Sequence, residues 1–161
     1  MSTVLEEERV LYTARVHTSG GRDGGKSQSD DDRLHVALSA PGSRKAGTNP
    51  EQLFAAGWSA CFEGAMQIAA KRSSISLPPD TAIDAEVDLR MAGASYFLQV
   101  RLNVDLPGLP RDLATALIEA AHRTCPYSKA SRGNIDLFIT LSGPARPIAI
   151  IAETVPRERK R

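Results

Sequence analysis

Ala82-Ile-Asp-Ala-Glu-Val-Asp-Leu-Arg-Met91 places Ile83, Ala85, Val87, Leu89 and Met91 at every second position, against Asp84, Glu86, Asp88 and Arg90. A period of two is that of a strand with one face on a core and the other in water. The link Ala92-Gly-Ala-Ser95 leads into Tyr96 to Leu106, where Leu98, Val100, Leu102 and Val104 alternate against Gln99, Arg101, Asn103 and Asp105. Two such runs joined by so short a link predict an antiparallel hairpin. Downstream, a helix follows Pro110, and its apolar face is read from Leu113, Leu117, Ala121 and Cys125, which recur every four residues. Pro126 starts a new turn, Gly133 interrupts it, and Ile135 to Leu141 alternates as a last core strand. Ile148-Ala-Ile-Ile-Ala152 is a candidate extra edge strand, and 156–161 is a basic tail.

Upstream of the hairpin, Pro78-Pro79 breaks the chain, and before it Asn49-Pro-Glu-Gln52 opens a helix with Asn at the N-cap, Pro at N1 and an acid in the first turn. From Leu53 to Arg72 small and apolar residues fill nearly every turn, which predicts a helix buried on most sides and open to close approach by another backbone. Residues 9–17 and 33–39 alternate and read as an N-terminal hairpin across a Gly- and Asp-rich loop. The fold class is therefore α+β, with antiparallel strands and two main helices.

A chain of 161 residues fits one domain, with a core over about 9–141 and a C-terminal extension over 142–161. With 42% hydrophobic and 24% charged residues the chain is globular rather than disordered, and a formal charge of +1 implies no broad basic surface for nucleic acid. The N-terminal Met1-Ser-Thr-Val-Leu-Glu-Glu-Glu8 carries acids where a secretory signal needs positive charge, and no apolar run is long enough to cross a membrane, so a cytoplasmic location is expected. Two cysteines 64 positions apart make neither a disulfide-rich scaffold nor a four-ligand zinc site. By count alone they read as two buried, inert thiols.

Gly20-Gly-Arg-Asp-Gly-Gly-Lys-Ser27 satisfies the phosphate-loop pattern GxxxxGK[ST]. A phosphate loop must open a helix whose amides face the phosphates, yet Gln28-Ser-Asp-Asp-Asp32 and an alternating strand follow, and these acids would repel a polyphosphate. The better reading is a Gly-rich hairpin loop that positions Arg22. His17, His35 and His122 form no metal-binding spacing. Cys61, in Trp58-Ser-Ala-Cys-Phe-Glu-Gly-Ala65, stands mid-helix, where a core cysteine would pack equally well.

Three blocks carry a resemblance: Gly20-Gly-Arg-Asp-Gly24; Gly47-Thr-Asn-Pro-Glu-Gln-Leu-Phe-Ala-Ala-Gly57 running into Ala60-Cys-Phe62; and Cys125-Pro-Tyr-Ser-Lys-Ala-Ser-Arg-Gly-Asn134. In this order, over about Val10 to Leu141, the chain resembles the organic hydroperoxide resistance (Ohr) branch of the Ohr/OsmC family. It departs from that pattern in Trp58, where a tyrosine is more usual, and in the C-terminal extension, which could cover an active-site mouth, pair at a sheet edge or dangle.

The resemblance implies an intertwined homodimer with active sites at the subunit interface. It makes Cys61 the peroxidatic thiolate, Cys125 the resolving thiol, Arg22 the guanidinium that holds thiolate and peroxide, and Glu51 the carboxylate that orients Arg22. A free thiol needs a neighbouring cation to become a reactive thiolate at neutral pH, and arginine stays charged throughout. The implied activity is reduction of organic hydroperoxides, fatty-acyl ones included, with no bound cofactor and no metal, and with dihydrolipoyl groups on lipoylated proteins as the external reductant. No membrane or nucleic-acid partner is implied. Phe54, Trp58, Phe62 and the second helix are expected to form an apolar mouth beside Cys61. The alternative from another class is a non-enzymatic redox-sensing or hydroperoxide-binding module, which would consume about one peroxide per protein and stop.

Overall fold

The computed structural model describes residues 8–143 and 146–156. They divide into two compact units, Met1–Pro50 and Glu51–Arg161.

The first unit holds β1 (Val16–Ser19), β2 (Lys26–Ser29) and β3 (His35–Ala37), antiparallel in the order β1-β2-β3. The expected N-terminal hairpin is thus a three-stranded sheet, and residues 9–15 lie outside any strand. β2 escapes periodicity because its sequence, Lys-Ser-Gln-Ser, carries no apolar residue. Its inward position is Ser27, whose hydroxyl meets Thr18 Oγ1 at 2.8 Å, so burial is satisfied by a hydrogen bond instead of apolar area. Lys26 and Ser27 begin a strand, so the phosphate-loop pattern spans a strand-to-strand turn with no helix N-terminus behind it.

That turn carries Arg22. Gly24 has φ +88°, a region that L side chains avoid, and its N–H donates to the Leu38 carbonyl at 2.7 Å. Asp23 ties the turn to the following loop: its carboxylate accepts from the Ala40 N–H at 3.4 Å and lies 3.5 Å from Lys45 Nζ. These contacts, the Ala40 amide first, hold its carboxyl below the usual range.

The second unit contains α1 (Pro50–Arg72), β4 (Ala82–Ala92), β5 (Ser95–Asp105), α2 (Arg111–Thr124), α3 (Pro126–Ser131), β6 (Asp136–Leu141) and β7 (Ile148–Glu153). Its sheet runs β4-β5-β6-β7. β4 and β5 pair antiparallel from Ala82↔Asp105 to Ala92↔Ser95, as the alternation predicts. β5 and β6 are parallel, because α2 and α3 form the crossover between them, so the sheet is mixed. β7 pairs antiparallel with β6 at the sheet edge, with an irregularity beside Ile139 and Thr140. Of the three fates open to the extension, this part of it takes the edge.

The core of this unit is built from Trp58, Phe62 and Met66 of α1, alternate residues Val100, Leu102 and Val104 of β5, Ile118 and Ala121 of α2, and Leu137 and Ile139 of β6. α1 is less enclosed than its composition suggests. Trp58, Phe62, Ala65, Met66, Ala69 and Ala70 are buried, while Ala56, Ala60, Gln67 and Ile68 on other faces are exposed. On α2, Leu113 is also exposed, at 41%, whereas Ala114, Leu117, Ile118 and Ala121 are buried. A strict four-residue repeat drifts around a helix of 3.6 residues per turn, so its first member leaves the core face that its later members share.

Gly25 has no room for a side chain, since a Cβ there would collide with the carbonyl oxygens of Gly21 and Ser19. Gly25→Ala should lower the unfolding free energy by about 1–3 kcal/mol, the range of an overpacked site. Urea denaturation checks this; an unchanged midpoint would show that the turn relaxes freely.

Candidate active site

Cys61 lies mid-α1, part-buried, and Cys125 is fully buried in the residue between α2 and α3. Cys125 closes one helix and opens the next: its N–H donates to the Ala121 carbonyl at 2.8 Å, and its carbonyl accepts from the Lys129 N–H at 3.0 Å. Pro126 disfavours helical conformation in the residue before it, and Cys125 takes φ −58° and ψ 124°. The break turns its side chain toward α1. Both thiols are free, and the Cys125 and Cys61 sulfurs lie 3.4 Å apart, within hydrogen-bonding reach of each other.

Burial pushes the Cys61 thiol up, the Tyr127 backbone N–H pulls it down by hydrogen-bonding the sulfur, and the Cys125 thiol raises it again; the net direction is upward. These influences favour the protonated thiol, so a reactive thiolate requires a further positive charge. Chemically, the pair can form a disulfide. An S–S bond is about 2.05 Å long, so modest side-chain movement closes the gap.

Tyr127 also builds the apolar surface at the site. Its ring lies 5.9 Å from Phe54 and 6.4 Å from Trp58, and Phe54 meets Trp58 edge-on at 5.4 Å. The ring fits because residue 57 is glycine: a Cβ there would stand 2.8 Å from Tyr127 Oη. Trp58 Nε1 donates to Ser128 Oγ at 3.4 Å, both fully buried. Phe54, Pro126, Tyr127, Ala130, Ser131 and Ile135 line a pocket of about 420 Å³. The expected mouth of Phe54, Trp58 and Phe62 is thereby corrected. Trp58 and Phe62 are 0% exposed and belong to the core, because the side of α1 they occupy faces the sheet. Phe54 remains, joined by residues of α3 and by Ile135, which immediately precedes β6. Tyr127 has no role legible in the sequence; its position two residues after Cys125, behind the turn-forming Pro126, is the available signal.

Glu51 stands in the first turn of α1 and Cys61 ten residues later on the same uninterrupted helix, hence about 15 Å along its axis. Arg22 stands in the β1–β2 turn of the first unit. Among the described residues no cluster of His, Cys, Asp and Glu is arranged to hold a metal ion, and no helix is long and apolar enough to cross a membrane.

A family model described as OsmC-like protein matches residues 40–140. The organic hydroperoxide resistance protein of Xanthomonas axonopodis pv. citri is 42% identical over 139 residues, 84% of this chain and 97% of that protein. The chain belongs to the Ohr branch of the OsmC-like family. Two solved Ohr structures align with it closely. The crystal structure of OhrB from Bacillus subtilis has TM-score 0.77 at 42% identity, covering 83% of this chain and all of that one, 100%. An organic hydroperoxide resistance protein from Legionella pneumophila has TM-score 0.78 at 40% identity, covering 84% and 100%. The Ohr-like α+β fold is thus established.

The difference in exposure gives a direct check. In the reduced protein a maleimide should modify Cys61 at least tenfold faster than Cys125, because the latter has no accessible surface. Peptide mapping by mass spectrometry reads the two rates; equal labelling would contradict the enclosed position of Cys125.

Proposed function

We propose that this Ohr-family chain is a cytoplasmic thiol peroxidase that reduces organic hydroperoxides to alcohols. The observation that carries the reading is a part-exposed thiol and a buried one 3.4 Å apart, with an apolar pocket lined by Tyr127, the residue whose backbone N–H bonds the Cys61 sulfur. The relatives' name, organic hydroperoxide resistance protein, supports the same chemistry.

In the first step the Cys61 thiolate attacks the O–O bond. Sulfur takes the hydroxyl oxygen to become a sulfenic acid, and the remaining alkoxide picks up a proton to leave as alcohol. In the second, the Cys125 thiol attacks the sulfenate sulfur; water leaves and the disulfide forms before further oxidation can occur. Two thiols of a dihydrolipoyl group on a lipoylated protein then reduce the disulfide and become oxidised themselves. No bound metal or cofactor enters the cycle.

Arg22, oriented by Glu51, supplies the charge that the Cys61 thiolate requires. With Glu51 about 15 Å from Cys61 along one helix, one arginine side chain does not bridge the two within a single α1. The arrangement that satisfies both is a homodimer with the α1 helices antiparallel, so that Arg22 and Glu51 of one chain serve Cys61 of the other. The exposed Ala56, Ala60 and Ile68 on α1 give such a pairing small and apolar surface to cover.

An apolar pocket at Tyr127, whose backbone N–H bonds the Cys61 sulfur, favours long or branched hydroperoxides over hydrogen peroxide, by about 0.8 kcal/mol for each methylene buried. Steady-state reduction of tert-butyl hydroperoxide, with dihydrolipoamide compared against dithiothreitol and thioredoxin, tests the activity and the reductant. Consumption of about one peroxide per protein with every reductant would identify a redox-sensing module instead.

Cys61→Ser should abolish turnover, while Cys125→Ser should complete the first oxidation and then stop as sulfenate or pass to sulfinate. Intact-mass measurement after one equivalent of peroxide distinguishes these; normal cycling of the Cys125→Ser protein would remove the resolving role.

Subunit exchange tests the dimeric site. Cys61→Ser and Arg22→Ala homodimers should both be inactive, and their heterodimer should regain one working site from an intact Cys61 and its partner's Arg22. If native mass spectrometry finds the heterodimer and no activity returns, each site is built within one chain.

A further inference from the structure

The last turn of α2 is held from two sides at one residue, His122. Its Nε2 lies 2.9 Å from Glu153 Oε1, on the last residue of β7, and its carbonyl accepts from Arg132 Nη2 at 3.3 Å, on the residue that caps α3. Since a carboxylate only accepts, Nε2 carries the hydrogen in this bond. His122 precedes Cys125 by three residues, hence lies on the same side of the turn, and the Ala121 carbonyl next to it holds the Cys125 N–H.

Glu153 reaches this place through the register of β7. It pairs with Leu137, whose side chain is buried on the helix-covered face of the sheet, so Glu153 projects toward α2. The strand end is pinned a second time, by the Val155 N–H to Asp136 Oδ1 at 2.7 Å. The family match ends at residue 140, before β7 begins, so this contact comes from a segment outside the matched core.

For stability alone the pair is a poor device. His122 is only 5% exposed, and its Nδ1 has no hydrogen-bond partner among the described residues, so an apolar side chain would be buried at lower cost. What the pair provides is direction: it fixes the rotation of the helix end that presents Cys125.

We propose that Glu153, acting through His122, is a positioning residue for disulfide formation, and that β7 braces Cys125 against Cys61. The inference rests on the reading of Cys125 as the thiol that resolves the Cys61 sulfenate. Glu153 touches neither sulfur, so its removal should leave the attack of Cys61 on peroxide unaffected and slow the second step, in which Cys125 displaces water from the sulfenate.

Rapid-quench mass spectrometry with one equivalent of tert-butyl hydroperoxide separates the two steps, with dimedone trapping the sulfenate. Glu153→Ala should keep the second-order rate of oxidation within about twofold of wild type and slow disulfide formation about fivefold to tenfold, the scale of one lost hydrogen bond. More dimedone adduct should accumulate. Glu153→Gln retains an acceptor oxygen for the Nε2 hydrogen and should resolve at close to the wild-type rate. Unchanged resolution in Glu153→Ala, or an equal fall of both steps in both variants, as general destabilisation would produce, overturns the positioning role. If wild type itself forms no Cys61–Cys125 disulfide, the peroxidase reading fails and the inference falls with it. A wild type that resolves normally beside an indistinguishable Glu153→Ala sinks the inference alone.

Discussion

The contact on which the site depends is the approach, at 3.4 Å, of a sulfur carried on α1 to one at the junction of α2 and α3. It requires a rigid α1, a helix end directed at it, and an interior that excludes other occupants. Each requirement has a local cause. α1 runs unbroken from Pro50 to Arg72, with Trp58, Phe62 and Met66 seated in the core on either side of Cys61 along the helix. Pro126 stops α2 at Thr124 by forcing its predecessor out of helical geometry. Tyr127, in the gap left by Gly57, then packs α3 against α1. A side chain at 57 or a residue other than proline at 126 would alter the site without touching either sulfur.

Burial and reactivity pull against each other at such a site. Low dielectric favours the neutral thiol, and the single Tyr127 amide offsets this only in part. A buried thiol that is to act as a nucleophile needs a permanently charged group, and in the proposed cycle an arginine on a glycine-rich turn fits that need. The turn is itself fastened, through Asp23, to the Ala40 amide and to Lys45, so the guanidinium is carried by a fixed support.

The parts legible in the sequence are those governed by local physics. The β4–β5 alternation, the Asn-Pro-Glu opening of α1 and the break at Pro126 each follow from backbone or burial rules acting within a few residues. β2 was hidden because its buried position is a serine satisfied by Thr18, which leaves no apolar signature. Of the apolar mouth expected from Phe54, Trp58, Phe62 and the second helix, Trp58 and Phe62 fall in the core, because sequence gives their apolarity but not the side of α1 they occupy. The two cysteines could be read as partners only through resemblance, since their meeting depends on tertiary packing across 64 residues. The His122–Glu153 contact is likewise tertiary, set by a strand register that no spacing encodes.

Cys125, shared between two helices, has a kinetic meaning as well. With its amide and carbonyl both engaged and a proline behind it, the backbone there occupies one well, and the sulfur keeps essentially one freedom, rotation about χ1. Rotamer exchange takes picoseconds to nanoseconds in exposed side chains and remains a far smaller event than the opening of a helix, which belongs to microseconds or longer. A thiol mounted in this way meets its neighbour without a conformational search. In the proposed cycle, the interval during which an oxidised Cys61 waits for it would be governed by bond making and proton transfer, which would keep short the exposure of that sulfur to a second oxidant.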